Sequence, residues 1–169
     1  MSNKKVTGKV WKFGSDINTD LVIPNFAIYL KREEQPQHCF VANRPGWVDE
    51  VQPGDILIAG TNFGVGSGRP IGDVFVDLGV SAVVAESFNG LGLRNCVNAG
   101  LASLPCKGIL DAFEEGDIAE VDWGTGEVRN LTKGTTVTGQ ALPPEIQSIV
   151  EEGGVMAKLL LGARAAHLV

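Results

Sequence analysis

Apolar and polar positions follow one another along the chain in patterns that predict strands alternating with helices. Alternation over residues 6–13 predicts an opening strand. Two uninterrupted apolar runs, residues 56–59 and 82–85, predict strands that are buried on both faces. Between the runs, Pro70 precedes apolar residues at positions 71, 74, 75, 78 and 80, which predicts a helix. The stretch 56–85 is therefore expected to form a right-handed βαβ unit.

The last third of the chain has a different pattern. Residues 118–123, 127–131 and 135–138 are short and β-rich, with glycine-containing turns between them, and they predict a small antiparallel meander. A helical pattern begins near residue 142, breaks at Gly153 and Gly154, and resumes with Val155. We therefore expect an α/β fold with a mixed sheet, a βαβ unit and a C-terminal β meander plus helix. A length of 169 residues suits a single domain spanning residues 1–169.

The loop between the first buried run and its helix, residues 60–70, holds four glycines within nine residues. Glycine accepts positive φ at little cost and lets a ligand approach the backbone, so this composition predicts a tightly curled loop. A strand–loop–helix joint of this kind directs N–H groups and the positive end of the helix at one point, where an anion can bind. Ser67 and Arg69 lie at that point; a serine hydroxyl can move a proton, and an arginine can grip a carboxylate with two donors.

Residue chemistry alone leaves three interpretations of this loop open. A nucleotide-phosphate site is one, but the loop has no lysine for a Walker A motif, and Arg69 stands where the dinucleotide fingerprint needs its third glycine. A carboxylate site with Ser67 as acid or base is the second. A structural tight turn, with Arg69 paired to a surface acid, is the third. Residues 16–20, which carry two aspartates, are likewise consistent with a simple capping turn.

Composition narrows the classes of function. The formal net charge is −6 and the basic residues are scattered, which argues against nucleic-acid binding. No apolar stretch approaches the length of a membrane span, and the first residues lack the apolar segment of a signal peptide, so the cytosol is the expected location. The three cysteines, Cys39, Cys96 and Cys106, have neither disulfide-framework nor metal-ligand spacing.

Four short blocks resemble a known family, and with a similar ending at residues 143–154 they cover most of the chain. They are Asp-Ile-Asn-Thr-Asp at residues 16–20, Tyr-Leu-Lys-Arg at residues 29–32, Asn-Phe-Gly-Val-Gly-Ser-Gly-Arg at residues 62–69, and Ser-Phe at residues 87–88 with Arg-Asn and Asn-Ala-Gly-Leu at residues 94–95 and 98–101. In order and approximate spacing they resemble the small subunits, or swivel domains, of the aconitase superfamily in the isopropylmalate isomerase branch. The family's signature there is Asn-Phe-Gly-x-Gly-Ser-Ser-Arg-Glu.

The resemblance implies a swivelling β/β/α domain that closes over a large subunit. It also implies the reversible loss and re-addition of water on a hydroxy di- or tricarboxylate. In the family, a [4Fe–4S] cluster in the large subunit acts as the Lewis acid, so no cofactor or metal is expected in this chain. The chain would be active only with that iron–sulfur partner, would bind neither nucleic acid nor membrane, and could form a homo-oligomer when isolated.

Site residues follow from the resemblance, position by position. Ser67 corresponds to the serine that takes the proton, Arg69 to an arginine that binds the substrate carboxylate, and Asp20 to an active-site acid. Further substrate contacts are expected from the matching blocks, at Thr19, Lys31, Arg32, Asn62, Gly66 and Gly68. Without the resemblance, Lys31 and Arg32 would be expected to be solvated cations in an exposed loop.

The chain departs from the family signature directly after Ser67. The second serine is Gly68, the glutamate is Pro70, and the next position, commonly histidine, is Ile71. These changes indicate a divergent branch. Isopropylmalate is the first substrate expectation, with dimethylmalate, methylmalate/citraconate or homoaconitate as alternatives. A non-catalytic module that binds anions or scaffolds a partner is the hypothesis from another class.

Overall fold

A seven-stranded mixed sheet organises the protein in a computed structural model that describes residues 3–166. The strands of this sheet are β1 (Lys5–Lys12), β2 (Ile56–Ala59), β3 (Ala82–Ala85), β4 (Ala102–Pro105), β5 (Ile118–Asp122), β6 (Glu127–Asn130) and β7 (Thr135–Thr138). Their spatial order is β4-β3-β2-β1-β5-β6-β7. The opening strand of the chain therefore lies in the middle of the sheet.

Strand β1 joins a parallel half to an antiparallel half. On one side it runs parallel to β2, with Val10 opposite Ile56, and β3 and β4 continue the parallel order. On the other side it runs antiparallel to β5, with Thr7 opposite Glu120, and β6 and β7 complete the meander. The mixed sheet, the βαβ unit and the meander expected from the sequence are confirmed. β4, which the apolar pattern did not identify as a strand, closes the parallel edge.

Seven α-helices connect and cover the strands of the described part. They are α1 (Thr19–Val22), α2 (Trp47–Glu50), α3 (Ile71–Asp77), α4 (Gly90–Asn98), α5 (Ile109–Ala112), α6 (Pro144–Glu151) and α7 (Val155–Ala165). Helix α3 is shorter than the apolar pattern over residues 71–80 suggested, because Gly79 turns the chain with φ 82°. None of the described helices is both long enough and apolar enough to cross a bilayer.

The parallel strands are buried on both faces, as the uninterrupted apolar runs predicted. In β2, Leu57 and Ala59 face a core that includes Trp47, Phe63 and Phe75. Ile56 and Ile58 face the opposite core, with the meander and α5. Because both faces are packed, the position of β2 is fixed and so is the point where it releases the chain into the glycine-rich loop.

The carboxyl ends of neighbouring parallel strands bring three loops together at one edge. The loop after β1, residues 13–18, pairs with the glycine-rich loop through a bridge between Asn18 and Val65. The loop after β3 joins it through a bridge between Phe63 and Phe88. Ligand sites in open α/β sheets lie at such edges.

Candidate functional site

Ser67 lies at the exposed crest of the glycine-rich loop. The curl depends on Gly64 and Gly66, whose φ angles are 77° and 117°. A Cβ on Gly66 would come within 2.5 Å of Asn18 Oδ1, so only glycine fits at this point. Within the described residues, the N–H groups of Gly66 and Gly68 donate to no protein atom. Two backbone donors, one on each side of Ser67 in the sequence, are therefore available to an anion.

The start of α1 supports this loop from below. The Thr19 side chain is buried, and its Oγ1 accepts the Ser67 N–H at 3.1 Å, while its own N–H donates to the Val65 carbonyl at 2.8 Å. Asn18 caps α1 by accepting the Asp20 N–H at 2.9 Å. Thr19, expected to bind substrate, thus contacts the loop backbone and fixes the position of Ser67.

Arg69 turns back beside Ser67 rather than out into solvent. Its Nε donates to Ser67 Oγ at 3.2 Å and lies 2.8 Å from Asp20 Oδ1. Its Nη1 donates to the Ile23 carbonyl at 2.7 Å, and its Nη2 to Asn25 Oδ1 at 3.4 Å. The Arg69 side chain is 10% exposed and that of Asp20 is 58% exposed. The guanidinium is therefore held in one place, next to a hydroxyl, with an open carboxylate beside it.

The start of α3 is not the free donor end that the sequence suggested. The Gly72 N–H donates to Asn95 Oδ1 at 2.8 Å, and the Ile71 N–H donates to the Arg69 carbonyl at 2.8 Å. A Cβ on Gly72 would lie 2.6 Å from the Asn95 carbonyl oxygen, which shows how closely α4 covers this helix end. Two of the first N–H groups of α3 are therefore already engaged, and the unused donors described above belong to the loop itself.

Arg32 and Lys31 lie apart from this arrangement. Arg32 forms a double hydrogen bond with Asp77 on α3, at 2.9 and 3.0 Å, and its Nη2 is 3.3 Å from Asp73. The hydrogen bond to Asp77 raises the pKa of Arg32. Lys31 is exposed, and its N–H donates to Glu34 Oε2 at 3.1 Å. The structure brings Ser67, Arg69, Asp20 and Thr19 together, but it pairs Arg32 with acids of α3.

Asn62 supports the base of the loop. It has φ 59°, its Nδ2 donates to Asp16 Oδ1 at 3.0 Å, and its N–H donates to Ser87 Oγ at 2.9 Å. Sequence reasoning missed the parts that Asn25, Ser87 and Asn95 play here. Only Asn95 and Ser87 carried a signal, since both fall inside the fourth motif block.

The described residues offer no set of metal ligands. No group of three His, Cys, Asp or Glu side chains converges within residues 3–166. The three cysteines are buried as free thiols. Burial raises the pKa of Cys96 to about 12 and that of Cys106 to about 11, and it also raises the pKa of Cys39. Thiolates bind metals and thiols do not, so these residues do not fit an iron–sulfur cluster.

Comparison with known proteins finds one matching family model and close relatives that are all small subunits of related enzymes. A family model described as the aconitase C-terminal domain matches residues 16–108, which include every residue of the Ser67 site. The small subunit of isopropylmalate/citramalate isomerase from Methanocaldococcus jannaschii is 42% identical over 158 residues, covering 91% of this chain and 93% of the relative. The 3-isopropylmalate dehydratase small subunit of Heliobacterium modesticaldum is 42% identical over 154 residues, covering 89% of this chain and 92% of the relative.

The fold has a solved counterpart as well. A crystal structure of 3-isopropylmalate dehydratase from Methanocaldococcus jannaschii superimposes with a TM-score of 0.89 at 28% identity. The match covers 96% of this chain and 98% of the crystallised one. Sequence and structure therefore agree over nearly the whole chain.

Proposed function

This chain belongs to the aconitase C-terminal domain family, and from that premise we propose that it is the small subunit of a two-chain hydro-lyase. The enzyme removes and re-adds water on a hydroxy dicarboxylate of the 3-isopropylmalate type. The observation that supports this most directly is the contact between Arg69 Nε and Ser67 Oγ at 3.2 Å, in an exposed loop with two unused N–H donors. A serine that acts as a base needs a cation and hydrogen-bond donors close to its oxygen, whereas a purely structural turn needs neither.

Ser67 takes the proton from the carbon beside a substrate carboxylate. A serine alkoxide is a strong base, and it is present only where positive charge lowers its energy; the Arg69 guanidinium supplies that charge at hydrogen-bond distance. As the C–H bond breaks, its electron pair forms the double bond and hydroxide leaves from the neighbouring carbon. The proton stays on Ser67 Oγ until the reverse step returns it.

The carboxylate of the substrate is bound at the same loop. Proton removal beside it places a second negative charge on that group, and the N–H groups of Gly66 and Gly68 can donate to it. Arg69 contributes positive potential from a fixed position, because Ile23 and Asn25 hold its two terminal nitrogens. Fixed donors cost no reorganisation when the charge develops, so they favour the transition state over the bound substrate.

Residues 3–166 offer no group of metal ligands that would take up the leaving hydroxyl. We propose that the large subunit would hold an iron–sulfur cluster, which would supply Lewis-acid chemistry at the leaving hydroxyl. The names of the relatives, each a small subunit, support a large-subunit partner.

We also propose that the protein is located in the cytoplasm, which cell fractionation would test.

The substrate is expected to carry a short apolar branch rather than a third carboxylate. Arg32, the residue that would bind an extra carboxylate, is engaged with Asp77 and Asp73. Exposed apolar side chains, Tyr29 and Phe26, lie in the segment before it. This combination favours isopropylmalate, dimethylmalate or methylmalate over homoaconitate. The Methanocaldococcus jannaschii relative, named for isopropylmalate and citramalate, supports the same group.

The experiment is a hydration assay of the assembled enzyme. This chain would be produced with its large subunit, and a panel of unsaturated di- and tricarboxylates would be tested with the wild type, Ser67→Ala and the control Ser81→Ala. We expect turnover of a branched dicarboxylate, a fall of at least about a hundredfold for Ser67→Ala, and a wild-type rate for Ser81→Ala, whose Oγ donates to the Gly54 carbonyl far from the loop. Undiminished turnover in Ser67→Ala would instead support a scaffolding module.

A further inference from the structure

Leu91, in the first turn of α4, is an apolar side chain beside the crest of the glycine-rich loop. It is 39% exposed and belongs to neither of the two hydrophobic cores. Apart from its neighbours in the chain, a Cβ on Gly68 would have one atom of residues 3–166 within 4 Å, which is Leu91 Cδ2 at 3.9 Å. Gly68 directly follows Ser67, so Leu91 borders the site of the proposed base.

The start of α4 is fixed against the glycine-rich loop. A Cβ on Gly92 would lie 2.7 Å from Gly64 Cα, so the two backbones are in direct contact. The Asn89 N–H donates to the Phe63 carbonyl at 2.9 Å, and Asn89 Oδ1 caps the helix by accepting the Leu91 N–H at 3.1 Å. The backbone therefore holds Leu91 at a defined position relative to the loop crest.

Space remains between Leu91 and the loop crest, because Gly68 has no side chain. The family signature has a serine at this position, and the chain departs from it. The φ of Gly68 lies outside the left-handed region, so the backbone does not require glycine here. What the glycine provides is room next to Ser67, with the apolar surface of Leu91 on one side of it.

We propose that Leu91 and the space over Gly68 bind the alkyl branch of the substrate and so determine which dicarboxylate is used. The proposal rests on the proposed function, in which Ser67 takes a proton from the carbon beside a carboxylate. In a substrate of the isopropylmalate type, the branch is attached to that carbon or to its neighbour, so it stays within a few bonds of Ser67 Oγ. A branch that packs on Leu91 leaves water, and its burial favours a larger alkyl group over a smaller one.

The substrate selectivity of the assembled enzyme tests this role. We would measure kcat/KM for hydration of isopropylmaleate and of methylmaleate with the wild type, Leu91→Ala, Leu91→Met and the control Leu131→Ala. Leu131 is a 49% exposed leucine in the turn after β6. We expect Leu91→Ala to lower the isopropyl-to-methyl ratio of kcat/KM at least about tenfold. Leu91→Met should keep most of the ratio, because methionine fills nearly the same volume, and Leu131→Ala should leave it unchanged.

Gly68→Ala tests whether the branch occupies the space over the loop. The variant keeps the backbone N–H, and its methyl group would reach van der Waals contact with Leu91 Cδ2 and narrow the gap. We expect the isopropyl-to-methyl ratio to fall about fourfold, because the added methyl takes the room of one methylene of the branch. An unchanged ratio would mean that the branch binds elsewhere, and it would overturn the proposal.

The ratio separates selectivity from the other roles that Leu91 could have. If Leu91 only supported Ser67 or contacted the large subunit, Leu91→Ala would lower kcat/KM for both compounds by the same factor. That result would overturn the proposal and leave the proposed function intact. A ratio that falls in Tyr29→Ala but not in Leu91→Ala would assign the branch to the segment before Arg32 and would also overturn it. If the wild type hydrated neither compound, the proposed function would be wrong, and the role of Leu91 with it.

Discussion

Asp20 Oδ1 lies 2.8 Å from Arg69 Nε, the same nitrogen that donates to Ser67 Oγ at 3.2 Å. One N–H group is therefore shared between a carboxylate and the hydroxyl proposed as the base. The Asp20 charge opposes the positive potential at Ser67, yet it also orients the guanidinium. The Asp20 side chain is 58% exposed, so water screens the effect of its charge on Ser67. The hydrogen bond that orients the guanidinium is screened less, and we therefore expect orientation to be the main role of Asp20.

Replacing Arg69 by lysine tests whether the planar guanidinium matters. The ammonium retains the charge, but it cannot reach Ser67, Asp20, the Ile23 carbonyl and Asn25 at once. We expect kcat/KM of the assembled enzyme to fall at least about a hundredfold, comparable to the loss of one oxyanion donor. Arg129→Lys is the control, since Arg129 forms only exposed ion pairs on β6. A near-wild-type rate in Arg69→Lys would remove Arg69 from the mechanism.

Two substitutions at Asp20 separate orientation from charge. Asn keeps an oxygen that accepts the Arg69 Nε–H, whereas Ala removes the acceptor. We expect Asp20→Asn to lower kcat by about tenfold or less and Asp20→Ala to lower it further, toward the fall typical of losing a positioned catalytic group. Steady-state kinetics on both variants, with Asp49→Asn on the surface of α2 as control, measure this. Equal losses in the two variants would show that the charge of Asp20, and not its acceptor, is what matters.

Gly66→Ala tests the curl of the loop. The residue has φ 117°, and a Cβ there would meet Asn18 Oδ1 at 2.5 Å and Thr19 Oγ1 at 2.9 Å. The loop must move away from α1, and this displaces Ser67. We expect activity to fall at least about tenfold, because a misplacement of about 1 Å can lower a rate by about a hundredfold and a smaller shift by less. Gly14→Ala is the control, because nothing lies within 4 Å of its added Cβ. Wild-type activity in Gly66→Ala would mean that the position of Ser67 does not depend on this contact.

Acid stability should depend on Asp117, which lies in the turn before β5. The Glu114 N–H donates to its carboxylate at 2.9 Å and Asn130 Nδ2 at 2.6 Å. The Glu114 hydrogen bond, with the Asn130 contact, lowers the pKa of Asp117. A lowered pKa in the folded state gives stability that is complete above the unfolded value of about 3.9 and is lost as the pH falls below it.

Urea unfolding of Asp117→Asn at neutral and acidic pH tests this predicted pH dependence of the free energy of unfolding. The variant should be less stable than the wild type by about 1.5–3 kcal/mol at pH 7, the contribution of hydrogen bonds to a charged group. The difference should shrink as the pH falls below about 3.9, because the carboxylate of the unfolded wild type then takes up a proton that the folded state, with its lowered pKa, binds less readily. Asp111→Asn, at an exposed position of α5, should show no such convergence. A constant difference across the pH range would contradict the assignment.

Much of the fold followed from local pattern. The apolar runs at Ile56–Ala59 and Ala82–Ala85 appear as strands with those bounds, because four consecutive apolar residues bounded by turn residues have few other ways to be buried. The expected meander is present with ends within a residue or so of those predicted. β4 escaped notice because Ala102–Pro105 is short and carries Ser103 and a proline, which weaken any pattern signal.

The chain by itself determined which elements form and which motif holds the candidate chemistry, because periodicity and glycine content are local properties of neighbouring residues. Only the tertiary structure decided which side chains are in contact. It places Arg69 beside Ser67 and Asp20, and Asn95 over the start of α3. It also pairs Arg32 with Asp77, away from the Ser67 site. These contacts join residues 23 to 49 positions apart, apart from the Ser67–Arg69 pair. The relative placement of strands, loops and helices sets such contacts, and no spacing along the sequence encodes it.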